Sequence, residues 1–299
     1  MNPPALKTGS RVALVSPSGA VEPALVEQAA GLLRTWGLEP VTAPHALGRY
    51  HRFAAPDDDR TADLQAALDD DRIDAVWCTR GGYGLCRIID RLRFDRFARH
   101  PKWVIGFSDI TCLHGALTAQ GFGSVHGVMC KQLAQLPDSR AVEAVRDILF
   151  GGNISYRVDP HPGNRPGRVT GLLTGGNLSV LNGLAGTPFG KIPDGAILLL
   201  EDLCEAPYHI DRMIRRMRLS GQLARLGGIV AGQFTELDAD DSFPDAYGIL
   251  LEALGDISIP VACNFPVGHV DNNLPLVLGA PATLSVTDKG ASLNQTIYL

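Results

Sequence analysis

Through the first half of the chain, short and nearly continuous apolar runs alternate with stretches whose apolar residues recur at helical spacing. Val12 to Val15 is the first run, and it breaks at the turn Ser16-Pro17-Ser18-Gly19. From Pro23 to Trp36 the positions Leu25, Ala29, Leu32, Leu33 and Trp36 recur every three or four residues, which predicts a helix that Gly37 stops. Glu39 to Thr42, Ala75 to Cys78, a strand through Val104 and Ile105, and Ser124 to His126 read as further strands. Thr61 to Leu68, Leu85 to Leu92, Ile110 to Ala119 and Ser139 to Leu149 read as the helices that accompany them. Strand and helix in this rhythm, with strands apolar on both faces, predict a parallel sheet covered on both sides.

Between Phe150 and Thr170 the composition shifts to glycine and proline, the mark of a crossover between domains. The expected division is residues 1–155 and residues 165–299. Ala196 to Glu201, Gly228 to Phe234 and short pieces after Ile259 predict strands in the second part. Helices are expected over Ile210 to Leu219 and Phe243 to Leu254, giving a smaller α+β domain.

Composition narrows the function. The chain has 299 residues, 45% of them apolar, and a formal net charge of −5. With 6% aromatics and no run of Lys or Arg longer than two, it does not read as a nucleic-acid binder. The longest uninterrupted apolar run, Ala196 to Leu200, is too short to cross a membrane. The N-terminal stretch is too polar for a secretory leader, so a cytoplasmic location is expected. Six cysteines without a CxxC pair, and histidines without HxH or HExxH spacing, predict reduced thiols and no metal site. The aspartates of Glu236 to Asp245 lack the glycine and closing Glu of a calcium loop and read as solvated.

The polar residues that interrupt the strands are the candidates for chemistry. Arg80-Gly81-Gly82-Tyr83-Gly84 follows the third strand and is either a tight turn or a cradle of backbone N–H groups for an anion. It is not a dinucleotide fingerprint, so no cofactor is expected. Gly106-Phe107-Ser108-Asp109 places a serine between a buried strand and a helix. That is the geometry of a nucleophile elbow, and also of an ordinary N-cap. A base and an orienting acid would be needed. His269 stands in a Gly-, Pro- and Asn-rich turn where core packing does not call for a histidine. His114 sits on the helix after Ser108, and His126 closes a strand. Glu201 and Asp202 end the most apolar strand of the second half, with Glu205 close behind. They are either functional carboxylates or a helix-capping or salt-bridging pair with Arg212, Arg215 or Arg216. A glycosidase using two carboxylates is a rival reading that lacks sugar-stacking aromatics.

Six stretches in order resemble the LD-carboxypeptidase family of serine peptidases, which includes muramoyl-tetrapeptide carboxypeptidases and microcin C immunity proteins. They are Thr79 to Gly84, Gly106 to Leu117, Val125 to Met129, Gly175 to Leu181, Leu198 to Met213 and Phe265 to Gly279. The resemblance implies a flavodoxin-like N-terminal domain with a parallel sheet carrying Ser108 as nucleophile. A C-terminal α+β domain would supply Glu201 as orienting acid and His269 as base. It further implies an oxyanion hole from the backbone N–H groups of Gly82 and Asp109. Arg80, Tyr83 and Arg212 are available to read a substrate carboxylate. The implied partner is a small peptide ending in a D-amino acid, cut in the cytoplasm during cell-wall recycling by a homodimer. Hydrolysis of peptidyl-nucleotide antibiotics is the alternative activity, and a catalytically silent ligand-binding protein the reading from another class. Val128 stands where the family commonly has proline, and Val270 to Asn273 is a further departure near the substrate site.

Overall fold

Strands that are apolar on both faces need cover on both. In the computed structural model, which describes residues 1–298, the first five find it. They are β1 (Arg11–Val15), β2 (Glu39–Thr42), β3 (Ala75–Cys78), β4 (Trp103–Gly106) and β5 (Ser124–His126). They pair in parallel in the order β2-β1-β3-β4-β5. Every residue of β3, β4 and β5 is buried. Helices α1 (Pro23–Thr35), α2 (Asp57–Asp69), α3 (Asp95–Arg99), α4 (Thr111–Ala119), α5 (Cys130–Gln135) and α6 (Arg140–Leu149) complete this half. The strand order is that of flavodoxin-like sheets, in which ligands bind beyond the carboxyl ends of the strands, where the winding reverses. Here that crevice lies between the loops following β1 and β3.

Leu85 to Leu92 is not one helix. Two 3-10 turns, Leu85–Arg87 and Ile89–Arg91, are separated at Ile88, whose φ of −127° breaks the helical run. Leu85, Ile88, Ile89 and Leu92 are buried all the same. The apolar spacing that predicts a helix is thus satisfied by a tighter, broken one.

The rest of the chain builds a seven-stranded sheet. Its elements are β6 (Ile154–Val158), β7 (Gly167–Asn177), α7 (Leu178–Gly183), β8 (Ile197–Leu203), α8 (Pro207–Leu219), β9 (Gly228–Thr235), α9 (Ala246–Leu254) and β10 (Val261–Ala262), then β11 (Leu276–Leu278), β12 (Ala280–Thr287) and β13 (Gly290–Gln295). The order is β10-β9-β8-β7-β12-β13-β6. The side from β7 to β10 is parallel, and β12, β13 and β6 add antiparallel ladders. The glycine- and proline-rich stretch after Phe150 thus contains the edge strand β6. β11 leaves the second half altogether and pairs antiparallel with β5 on the first sheet.

One apolar cluster joins the two halves: Leu14, Trp77, Ile105 and Val125 of the first sheet share it with Leu173, Ile197, Leu199 and Val230 of the second. Separate clusters fill the outer face of each sheet. The carboxyl ends of β4 and β8 are thereby fixed relative to each other. Among the described residues no helix is long and apolar enough to cross a membrane, and no group of three His, Cys, Asp or Glu side chains is placed to hold a metal ion.

Candidate active site

The chain leaves β4 at Gly106, and Ser108 is two residues on, half-buried and with φ at +66°. A left-handed residue other than glycine is costly, so surrounding structure must hold it there. It opens a 3-10 turn, Ser108–Ile110, that runs directly into α4. Two neighbouring loops brace it. Gly81 packs against the serine so closely that a Cβ would stand 2.8 Å from Ser108 Cβ. The Gly19 N–H donates to the Gly81 carbonyl at 3.0 Å, tying the β1 loop to the β3 loop.

The side chain of Asp109 completes the bracing. Its buried carboxylate accepts from Ser18 Oγ at 2.6 Å and from the Leu85 N–H at 2.8 Å. Burial pushes its carboxyl above the usual range, and those two hydrogen bonds oppose the shift. Arg60, buried on α2, donates to the carbonyls of Pro17, Ala55 and Gly84 and pairs with Asp57. Its fork thus holds the β1 and β3 loops from below. As a first-turn residue of its helix, Asp109 has a backbone N–H without an intrahelical acceptor. Gly82 lies in the facing loop at φ +99°.

Glu201 and His269, the expected acid and base, come from the second half of the chain, on β8 and on the loop before β11. Along β8, Ile197 and Leu199 face the shared core while Leu198 and Leu200 face the outer cluster. The two-residue period therefore sends Glu201 inward and Asp202 outward. Glu201 is fully buried, and its Oε2 lies 2.7 Å from His269 Nδ1. Burial pushes the Glu201 carboxyl up, but His126 and His269 outweigh that and hold it at about 2. His269 is reached through Gly268, at φ +126°, where a Cβ would stand 2.9 Å from Glu201 Oε2. The buried Asn273 fixes that turn by accepting the Gly268 N–H at 2.9 Å.

Ser108 and His269 approach from opposite halves without a hydrogen bond between them. The His269 ring lies 4.9 Å from that of Phe107, the residue before the serine. Thr111 Oγ1, at the start of α4, accepts the Asn177 N–H at 3.0 Å and links the serine's helix to the end of β7.

The other carboxylates are occupied elsewhere. Asp202 accepts from Asn177 Nδ2 at 2.7 Å and from the Ser179 N–H and hydroxyl at 2.9 and 2.6 Å, which caps the start of α7. Glu205 shares the single Ser179 hydroxyl proton with Asp202 and pairs with His209 Nδ1. Arg80 donates to the Ala20 carbonyl, and the exposed Tyr83 ring lies under the Arg52 guanidinium. Arg212 stands apart on α8, over the Tyr208 ring, in a groove of about 680 Å³ that Arg215, Arg216 and Leu219 also line. No hydrogen bond or ion pair joins it to Ser108, Glu201 or His269.

Three features of the site give no sign of themselves in the sequence: the bracing carboxylate of Asp109, the close approach at Gly81 and the acceptor Asn273. His126 is a fourth. Its one signal was that a titratable residue ended a strand otherwise destined for the core.

Two family models cover most of the chain: an LD-carboxypeptidase N-terminal domain over residues 12–127 and an LD-carboxypeptidase C-terminal domain over residues 170–284. A relative from Streptomyces coelicolor is 38% identical, with 99% of this chain and 96% of that one covered. The murein tetrapeptide carboxypeptidase of Pseudomonas aeruginosa is 33% identical, with 92% of each chain covered. Among solved structures, the muramoyltetrapeptide carboxypeptidase of Oxalobacter formigenes superposes with a TM-score of 0.88 at 29% identity. That match covers 97% of this chain and 99% of the other.

Proposed function

We propose that this chain, which belongs to the LD-carboxypeptidase family and is an LD-carboxypeptidase enzyme, works as a serine hydrolase that releases terminal D-alanine from murein tetrapeptides. The observation that carries the reading is the buried Glu201–His269 pair at 2.7 Å, held opposite a serine in the strained conformation of an elbow.

In this reading His269 Nε2 removes the Ser108 proton as Oγ attacks the carbonyl before the D-residue. Glu201 fixes the Nδ1–H tautomer and stabilises the imidazolium that forms. Negative charge on the carbonyl oxygen is met by the N–H groups of Asp109 and Gly82. The imidazolium returns its proton to the departing amine, and D-alanine leaves. Water, deprotonated by His269, then hydrolyses the ester to Ser108 and restores the enzyme. Arg80 and Tyr83, beside the β3 loop, are the groups we assign to the terminal carboxylate. The role we assign is recycling of cell-wall peptides in the cytoplasm, by a homodimer.

D-alanine release from a murein tetrapeptide is the measurement. Wild-type protein should release one equivalent per peptide, and Ser108→Ala should lose several orders of magnitude in turnover. A Ser108→Ala protein retaining more than about a tenth of wild-type activity would end the serine reading, since residual catalysis without a nucleophile is far weaker.

A further inference from the structure

Behind the acid lies a second imidazole that the steps above do not use. His126 ends β5 and is fully buried, and neither of its ring nitrogens has a hydrogen-bond partner among the described residues. Its Nε2 lies 3.9 Å from Glu201 Oε1. That oxygen is itself the unpartnered half of the carboxylate, because Oε2 is taken by His269. Buried polar groups without partners are rare and costly, and here two face each other. A shift of about 1 Å would bring them to ordinary hydrogen-bond distance.

The surroundings leave His126 no other acceptor of comparable strength. His114, on α4, has its ring 6.2 Å away, and both its nitrogens are engaged: Nδ1 with Ser124 Oγ and Nε2 with the Gly106 carbonyl, each at 2.8 Å. Phe107 presents an apolar ring at 5.8 Å. Leu276 of β11 pairs across from His126. Among the described residues, Glu201 is the one carboxylate paired with it, reaching it from the second sheet.

We propose that His126 is a positioning residue of the active site, donating its Nε2–H to Glu201 Oε1 so that the carboxylate is gripped between two imidazoles. The proposal rests on Ser108, Glu201 and His269 acting as assigned above. Its consequence follows from the strand register. His126 pairs with Gly106 on β4, the strand that delivers Ser108. A hydrogen bond to Glu201 therefore sets the acid and base of one half against the nucleophile of the other. It also draws charge from the carboxylate that His269 shares.

The test compares His126→Phe with His126→Gln, whose amide N–H can still reach the carboxylate. Both are assayed as kcat and KM for D-alanine release across pH, with folding checked by circular dichroism. In His126→Phe, kcat should fall by about tenfold or more with KM nearly unchanged, as for an interaction felt at the chemical step. The acid limb of kcat/KM should move to higher pH, because an unshared Glu201 charge favours protonated His269. His126→Gln should recover part of both. An unmoved acid limb in folded His126→Phe, or a Gln variant no better than Phe, overturns the proposal. If neither variant folds, ¹⁵N spectra of histidine-labelled wild-type protein decide: an Nε2–H tautomer at His126 supports it, and an Nδ1–H tautomer overturns it. Survival of activity in Ser108→Ala would instead overturn the underlying reading, so the two failures are told apart.

Discussion

Gly81, in the loop after β3, and Ser108, just beyond β4, are in contact, with space at Gly81 for a hydrogen and nothing larger. A Cβ there would meet Ser108 Cβ at 2.8 Å, Oγ at 3.0 Å and the Phe107 carbonyl at 3.2 Å. None of these is the end of a flexible chain, so the elbow itself would have to move. Gly81→Ala should lower kcat/KM by roughly 10²-fold, the scale of a misplacement near 1 Å. Its thermal midpoint should fall by only a few degrees, the effect of about 1–2 kcal/mol of overpacking. Activity and melting measured side by side check this; equal activity with a lowered midpoint would show the contact to be irrelevant to catalysis.

The acid should have no understudy. Its neighbours in sequence suggest that Asp202 or Glu205 could partly replace Glu201. The strand period turns Asp202 to the other face, and Ser179 ties up both carboxylates. Glu201→Gln should therefore cost about 10⁴ in turnover, the scale seen when a triad acid loses its charge. Adding Asp202→Asn should cost nothing further in the reaction itself, although that change weakens the charged acceptor that Asn177 Nδ2 and the Ser179 N–H share at the start of α7 and should lower stability by about 1 kcal/mol. D-alanine release by the single and double variants makes the comparison.

Stability should fall in two steps on acidification. His114 is buried and neutral; burial, and then His126, hold it down at about 3 against an ordinary 6.5. The unfolded chain binds that proton first, so stability is lost as pH drops below 6.5. Glu201, held at about 2 against an ordinary 4.5, contributes stability that is complete above 4.5 and lost as pH falls towards 2. Urea midpoints should show His114→Gln flattening the upper step, and Glu201→Gln the lower.

Thiol chemistry should divide the six cysteines two and four. All are unpaired; Cys86 and Cys204 are exposed, while Cys78, Cys112, Cys130 and Cys263 are buried. Burial pushes the thiols of Cys130 and Cys263 up to about 12, and Cys78 and Cys112 further in the same direction. Cys204 is also pushed up, by its hydrogen bond to Glu236. An aromatic disulfide reagent should label Cys86 first, Cys204 more slowly, and the other four after denaturation. Mass mapping of labelled peptides against time provides the check.

What the sequence made legible, and what it hid, follows from burial. β1, β3 and β4 are covered on both faces, so their apolar runs are nearly unbroken and stand out. β6 and β12 alternate buried and exposed residues on an antiparallel edge region, and their short alternations fade into glycine- and proline-bearing surroundings. Ser108, Glu201 and His269 drew attention because each interrupts a pattern that packing alone would continue. His126 and the Asp109 carboxylate did not. Their importance lies in partners 75 and 91 residues away, Glu201 and Ser18, which no local pattern reports.

β11 gives the two halves a temporal order. The five parallel strands that carry Ser108 are made first, yet β5 has a bare edge until Leu276–Leu278 pairs with it. That segment leaves the ribosome only after β6 to β10, the bulk of the second sheet, has been synthesised. A nascent first half is consequently an open template for unwanted strand pairing, and it lacks Glu201 and His269. The late strand shuts the template just after the loop bearing His269 has emerged. A chain that stops short of Leu276 therefore keeps the β5 edge open, so the last quarter of the sequence guards the first against mispairing.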